Sequence, residues 1–575
     1  MASVPHRLGE ERATVPRIVL PITSRGLVVT DRLCWGILGA AMAVAAALIL
    51  YLNRGTSFYL DEITWVYQTP GLDSIGDVLE RHNGHLIATT RLVYKAILET
   101  IGAEYIAFRL IAVSAVLLSA ALFYALVKRR IGALPALAPT LVLLFLGSAW
   151  QHVVGPIGFT PVFSIAAGLA ALLALERGDR RGDIAACAFL VVSVATYTAG
   201  LPFVVGVAVS VLIQPDRLRR AWTFLVPLAL YAAWWLGSLS TADEGDTSLV
   251  NALLIPNWWA DALATVMAAL SGLGFDFAGE GPFPTVEPGW GRILAVAAVA
   301  ALVLRIRRGN VAPSTWAFIA IALTWWTLGA LAFGLIRTPD AVRYIYLGAV
   351  AVLLVAAAAV PPIRFSRAGL LALFAAAAFS LGANITLLRD GGAVFRDISA
   401  RTQAQFAALE LARDHVSPDF DPLEDPPVGG FVLSPASTYF AVADRYGSLA
   451  LTPSELESQA ESIRQNADQI LARALELQLE ASPSGLPAAR CEEFPSNGAG
   501  EATGFQLPAG GATLRVHGAA SGPLLVGRFG SSPSAEVGSL PPGGTAKLAI
   551  PEDSSPRPWI GAVTGARSVE VCPVS

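Results

Sequence analysis

Eleven apolar runs, each near the length of a membrane-crossing helix, dominate residues 33–388. They lie near 33–52, 106–127, 131–150, 158–175, 184–201, 202–214, 221–238, 291–305, 314–336, 342–360 and 368–388. About 20 apolar residues span the hydrocarbon layer as a helix, and lipid leaves such a run few other ways to satisfy its backbone. Composition agrees: of 575 residues, 54% are hydrophobic and 15% charged, where soluble chains carry about 25%. The expected fold is a polytopic α-helical membrane protein of about 11 transmembrane helices, followed by an α+β region ending in a small β-sandwich.

Loop charge sets the expected orientation. Of the 27 basic residues before position 389, 19 fall in the N-terminal tail 1–32 or in alternate loops such as "KRR" (128–130), "ERGDRRGD" (176–183) and "PDRLRR" (215–220). Basic loops stay cytoplasmic. The tail is therefore expected inside, and it does not read as a signal peptide. After eleven crossings the C-terminal region lands outside. Frequent Ala and Arg suggest a bacterial source, and hence the inner membrane. The expected divisions are tail 1–32, membrane domain 33–388 with outer loops 53–105 and 239–290, helical region 389–485 and sandwich 486–575.

The outer loops carry helical patterns of their own. Pieces near 72–81 and 86–101 are expected, the second lying along the interface. The apolar stretch 250–274 contains Pro256 and Asp261, so an interfacial or re-entrant segment is expected rather than a crossing. In the C-terminal region "TPSE" predicts a capped helix start: Thr452 as N-cap, Pro453 at the first position, Glu455 closing the box. Ile463, Ala467, Ile470, Ala474 and Leu477 then mark one helical face. From Cys491 onward, short strand-like runs alternate with Gly, Pro and Ser turns. Cys491 and Cys572 bracket this part. Their pairing fits an oxidising compartment and closes a long loop, worth about 4 kcal/mol in a chain-entropy account. Cys34 and Cys187 sit in apolar runs and read as inert.

The spans carry almost no ionisable residues at mid-depth, which argues against an ion-coupled transporter. No basic cluster with interleaved aromatics suggests nucleic acid. The outer face, by contrast, collects reactive side chains: Asp61 and Glu62 in "SFYLDEITWVY", His82 and His85 in "ERHNGH", Arg91, His152, and Arg337, Arg343 and Tyr344 in "RTPDAVRYIY". A carboxylate can deprotonate a hydroxyl while guanidinium groups stabilise a departing phosphate. Beyond the cytoplasm there is no nucleotide pool, so an activated sugar would arrive on a lipid phosphate. Each residue also has a plainer role: Asp61 and Glu62 can cap an interfacial helix, and arginines at span ends can reach lipid headgroups. His82 and His85 can simply hydrogen-bond in a loop.

The order of first span, "FYLDE" loop, interfacial helices and "RTPDAVRYIY" before a late span resembles the GT-C superfamily of polyprenyl-phosphate-sugar-dependent glycosyltransferases. That superfamily includes protein O-mannosyltransferases, lipid A aminoarabinose transferases and mycobacterial arabinosyltransferases. The resemblance covers about residues 30–390 and lies in topology more than identity. It implies a GT-C-like fold and transfer of a sugar from a polyprenyl-phosphate donor to a glycan, lipid or protein acceptor at the outer interface. It implies Asp61 as general base with Glu62 beside it, and Arg337, Arg343 and Tyr344 at the donor phosphate. His82, His85, Arg91 and His152 are further substrate-binding candidates, and a divalent metal would fall to Asp61 and His85. One departure stands out: many relatives place a His and Pro-rich sequence where this chain has "NGHLIA". Rival readings are an inactive GT-C-like scaffold whose outer domain binds glycan, and a lipid-linked glycan transporter or polymerase.

Overall fold

The computed structural model describes residues 30–239, 249–278, 285–309, 311–334, 337–360, 365–424, 432–481, 491–496, 502–517, 522–540, 543–551, 555 and 557–574, with two short strands ahead of them at Val19–Leu20 and Leu27–Val28. Most of the expected tail 1–32, and the loop segments 240–248 and 279–284, lie outside the described residues.

Each of the eleven apolar runs holds a helix, but they are not eleven equal crossings. Among the described residues, seven helices are long and apolar enough to cross a membrane, or eight if one bent pair counts as a single span. The bent pair, Ala133–Leu144 with Gly147–Val153, turns by 43°. Gly200–Leu212 and Trp222–Gly237 are shorter apolar helices. Arg180–Thr196 and Gly291–Arg307 have 17 residues each, roughly 25 Å at 1.5 Å per residue, and fall short of a hydrocarbon layer of about 30 Å. Thr30 caps the first helix, Asp31–Leu52, by accepting from Leu33 N–H. Contact between helices relies on small residues: a side chain at Gly168 would strike the Phe203 ring, and one at Gly206 would strike Ile321.

Helix Ile255–Ser271 together with its lead-in from Val250 also passes the length test for a crossing. Its packing traces a different path. Asn251 donates to the carbonyls of Leu331 and Phe333, and Trp259 to Thr327, all at the C-terminal end of helix Pro313–Leu331. Near its other end Ala264 and Ala268 lie against Gly291, the first residue of helix Gly291–Arg307. Those two helices follow one another through a short turn, so the start of one and the end of the other share a face. Both parts of the segment therefore pack near the end that the start of Gly291–Arg307 and the finish of Pro313–Leu331 have in common.

The bend at residues 145–146 leaves backbone groups without helical partners, and Asn384 meets them from helix Arg367–Leu411. Its Oδ1 accepts from Ser148 N–H at 3.2 Å, and its Nδ2 donates to Ala269 O at 2.9 Å. Gly147 packs so closely on the Asn384 carbonyl that no Cβ would fit. Asn384 is fully buried, so its "NIT" sequon cannot take a glycan.

Helix Arg367–Leu411 has 45 residues, about 68 Å at the standard rise. That exceeds a hydrocarbon layer of about 30 Å, and the expected division at 388/389 falls inside this one helix. Beyond it Thr452 forms the expected capping box with Glu455, yet the helix it opens, Pro453–Glu457, stops after five residues. A second helix, Glu461–Ala474, restarts after the break. The expected apolar face is buried in full: Ile463, Ala467, Ile470, Ala474 and Leu477.

The β-rich part is two antiparallel sheets. One orders Ala535–Leu540, Gly522–Gly527, Ile560–Thr564 and Ala502–Gln506; the other orders Leu479–Ala481, Thr545–Ala549, Gly511–His517, Ser568–Pro573 and Glu492–Pro495. Alternate residues such as Leu514, Val516, Leu524, Val526, Val569 and Val571 fill the space between them, the arrangement of a sandwich. The Cys491–Cys572 disulfide is formed. Asp468, fully buried on helix Glu461–Ala474, accepts from the backbone N–H groups of Phe529 and Gly530 and holds the sandwich to the helical part.

Candidate active site

The chain turns sharply into the helix Asp61–Gln68. Leu60 adopts φ 46° and ψ −118°, a conformation glycine tolerates best and other residues hold at about 1–3 kcal/mol. The turn puts Asp61 and Glu62 in the first helical turn, where the backbone N–H groups favour negative charge. Adjacent helical residues point about 100° apart, and the two carboxylates go separate ways.

Asp61 faces a cavity of about 350 Å³. Its side chain is 39% exposed, and that exposure opens into the cavity. Asn83 Nδ2 donates to Asp61 Oδ1 at 3.1 Å, and His82 Nε2 lies 3.6 Å from the same oxygen. Burial works against the charge of Asp61, but the contact with the His82 side chain and the positive field of Arg343 hold its carboxyl below the usual value. It is ionised at neutral pH.

Asn83 reaches Asp61 because of a tight turn. His82 and His85 exchange both backbone hydrogen bonds, at 3.1 and 2.8 Å, around Asn83 (φ 48°) and Gly84 (φ 83°). This is a two-residue turn with φ positive at both centres, for which Asn-Gly is the favoured pair. Two further contacts fix the loop. The Arg91 guanidinium donates to the carbonyls of Asp77, Val78 and Glu80, and the Trp234 indole N–H donates to Leu79 O.

From far along the chain come Arg337, Arg343 and Tyr344, which line the same cavity as Asp61 and His85. Backbone bonds between Gly334 and Arg337 and between Val286 and Asp340 shape the approach to helix Val342–Ala359. Tyr344 is packed between the rings of Trp258 and Trp325, and the Arg343 guanidinium lies 5.5 Å from the Tyr344 ring centre. Gln151 and His152 enter the wall from the second half of the bent pair. Their position depends on the bend that Asn384 holds.

Three expected site residues are elsewhere. Glu62, expected beside Asp61 in the catalytic pair, is fully buried and turned away from the cavity. It accepts from Tyr94 Oη at 2.7 Å, Tyr105 Oη at 3.0 Å and Tyr59 N–H at 3.2 Å. Burial pushes its carboxyl up to about 8 despite those donors; it anchors the turn from below. Arg91, expected at substrate, is 1% exposed and spent on the loop carbonyls. His82 stands behind Asp61 and does not line the cavity; its Nε2 accepts from Trp65 indole N–H at 3.1 Å.

Asp61 and His85, the candidates for a metal, are not arranged as a ligand set. His85 has Nδ1 2.7 Å from Thr198 Oγ1 and Nε2 3.2 Å from Tyr197 Oη, so both ring nitrogens are engaged. Among the described residues no third His, Cys, Asp or Glu joins Asp61 and His85 in a ligand set; the one such cluster is Cys491, Glu570 and Cys572, whose sulfurs form the disulfide. Burial, with Arg337 adding to it, lowers His85 to about 3, so its imidazole is neutral. Residues the sequence reading missed are Tyr59, Asn83, Gln151, Tyr197 and Trp325, all on the cavity wall. Of these only Asn83 carried a local signal, the Asn-Gly pair.

No family model matches the chain, and no curated protein sequence does. Among solved structures it is similar to ArnT from Cupriavidus metallidurans in the apo state, at 13% identity and TM-score 0.46, over 74% of this chain and 91% of that one. It is also similar to the same protein bound to undecaprenyl phosphate, at 13% identity and TM-score 0.42, over 67% and 82%.

Proposed function

We propose that the protein is a membrane glycosyltransferase of the GT-C type, moving a sugar from a polyprenyl phosphate to an acceptor hydroxyl on the face that carries the C-terminal region. One observation carries the reading: an ionised Asp61 and the two guanidinium side chains of Arg337 and Arg343, more than 270 positions away in sequence, border one cavity. In the proposed step Asp61 takes the acceptor hydroxyl proton as the acceptor oxygen bonds to the anomeric carbon. The bond from that carbon to the phosphate oxygen breaks, and its electron pair leaves with the lipid phosphate. Arg337 and Arg343 balance the charge that develops there. Asn83 holds the Asp61 carboxylate toward the cavity. The face is extracytoplasmic by the loop charges, in a bacterial inner membrane, and the acceptor is an envelope glycan, lipid or protein.

The test is mass spectrometry of envelope glycans from cells carrying wild-type protein, no protein, or Asp61→Asn. A sugar missing in the last two and present in the first supports the reading. A glycan profile unchanged by Asp61→Asn, with the variant present at normal level, rejects it in favour of an inactive scaffold.

A further inference from the structure

Resting on the glycosyltransferase reading, we infer that the sugar this cavity accepts is uncharged, a neutral pentose or hexose, and that amino sugars and uronic acids are excluded by charge. The argument is an inventory of the wall. Among the described residues that line the cavity, Asp61 is the one carboxylate, and Arg337 and Arg343 are the two cations. His85 adds no charge, since burial holds its imidazole neutral. Transfer uses all three charged groups: the carboxylate for the acceptor proton, the guanidinium groups for the lipid phosphate. Among the described residues, no formal charge on the wall is left for the sugar.

What remains is neutral, and it can both donate and accept. Asn83 and Gln151 offer carboxamides, and Tyr59 and Tyr197 phenols. Trp65 and Trp325 add flat apolar faces of the kind that pack against a sugar ring. These groups suit ring hydroxyls. An ammonium on the sugar would stand in a cavity with two guanidinium groups and would have to draw Asp61 away from the acceptor to find an anionic partner. An aromatic face can hold a cation, but the Tyr344 ring already has the Arg343 guanidinium 5.5 Å from its centre, and a cation over Trp65 or Trp325 would still share the cavity with both guanidinium groups. A sugar carboxylate would compete with the phosphate for the arginines and face Asp61 across the cavity.

The experiment uses the full chain purified in detergent and short-chain polyprenyl phosphates as probes. The carriers bear arabinose or glucose, the same rings with one hydroxyl replaced by an ammonium or with a carboxylate in place of one carbon substituent, or no sugar at all. Binding is measured by calorimetry. The inference expects one of the two neutral carriers to bind at least tenfold more tightly than each of its charged counterparts. If neither does, the inference is overturned; where the bare lipid phosphate still binds, and binds more weakly in Arg343→Ala, the glycosyltransferase reading survives that failure. If no lipid phosphate binds at all, both fall. Gln151→Glu supplies the missing carboxylate and is expected to bring the ammonium-bearing carrier within about threefold of the neutral one. A variant that melts like wild type and keeps the full discrimination overturns the charge argument.

Discussion

Asp61 in the cavity and Asp468 at the joint of the sandwich are both carboxylates held inside the protein, yet they are built to opposite ends. Asp468 is fully buried, and its oxygens accept from the backbone N–H groups of Phe529 and Gly530. Burial raises its pKa in spite of those bonds. Asp61 keeps 39% of its side chain open, has side-chain contacts from Asn83 and His82, and is held below the usual value. A carboxylate enclosed by backbone donors fastens one element to another. A carboxylate left partly open beside cations has capacity to spare for a substrate. Glu62, next to Asp61 in sequence, belongs with Asp468 by this measure: three donors, no cavity face.

The largest expected effect separates the two kinds directly. Asp61→Asn should reduce transfer by about 10²- to 10⁴-fold, the usual worth of a positioned general base, and lower the melting temperature only slightly. Asp468→Ala should do the reverse. It strands buried N–H groups at a cost of about 1–3 kcal/mol each, which limited proteolysis of the sandwich and a lower melting temperature would register, while the rate per folded molecule stays near wild type. Equal effects of both changes on the rate would erase the distinction.

A smaller effect sharpens it. Asn83→Gly keeps the positive φ that the turn at Asn83 and Gly84 requires but removes the donor to Asp61. A hydrogen bond to a charged group contributes about 1.5–3 kcal/mol, so transfer should fall about 10- to 100-fold, with a smaller loss of stability than in Asn83→Ala. Asn83→Ala removes the donor and also strains the turn, so it should cost stability as well. A wild-type rate in Asn83→Gly, with losses only in Asn83→Ala, would show that Asn83 serves the turn alone.

Much of this arrangement was legible in the sequence, and the rest was hidden for identifiable reasons. Apolar runs report helices because lipid leaves few alternatives, and Asp61, Arg337 and Arg343 stood out as charged residues at the ends of apolar runs. The direction of Glu62 was not legible, because a pair of adjacent acids looks the same whether one or both face the cavity. Gln151 and Tyr197 join the wall through contacts spanning about a hundred positions or more, with no local pattern to announce them. The bend at 145–146 depends on Asn384, which reads in sequence as one polar residue in a long helix or as part of a sequon. The two-part helix after Thr452 was missed because its capping box and apolar spacing are both real, and neither reports the break between them.

The smallest effect expected is one of pH, and it tests whether Glu62 is an anchor. Its carboxyl is pushed up to about 8 in the folded protein by burial, ahead of the lowering contacts from Tyr94, Tyr105 and Tyr59; in an unfolded chain it titrates near 4.3. The folded state therefore binds the proton more tightly, and stability is greatest below the unfolded value and declines as pH rises from about 4.3 through about 8. Asp61 has the opposite sign: its contribution is present above its unfolded value and is lost only as pH falls further. Between pH 5 and 8, then, Glu62 should tilt the melting temperature downward with rising pH and Asp61 should not. Glu62→Gln cannot ionise and retains an oxygen to accept from Tyr94, so it should flatten that slope without a comparable change in the rate. A slope unaltered by Glu62→Gln but removed by Asp61→Asn would reverse the assignment and make Glu62 the open carboxylate of the pair.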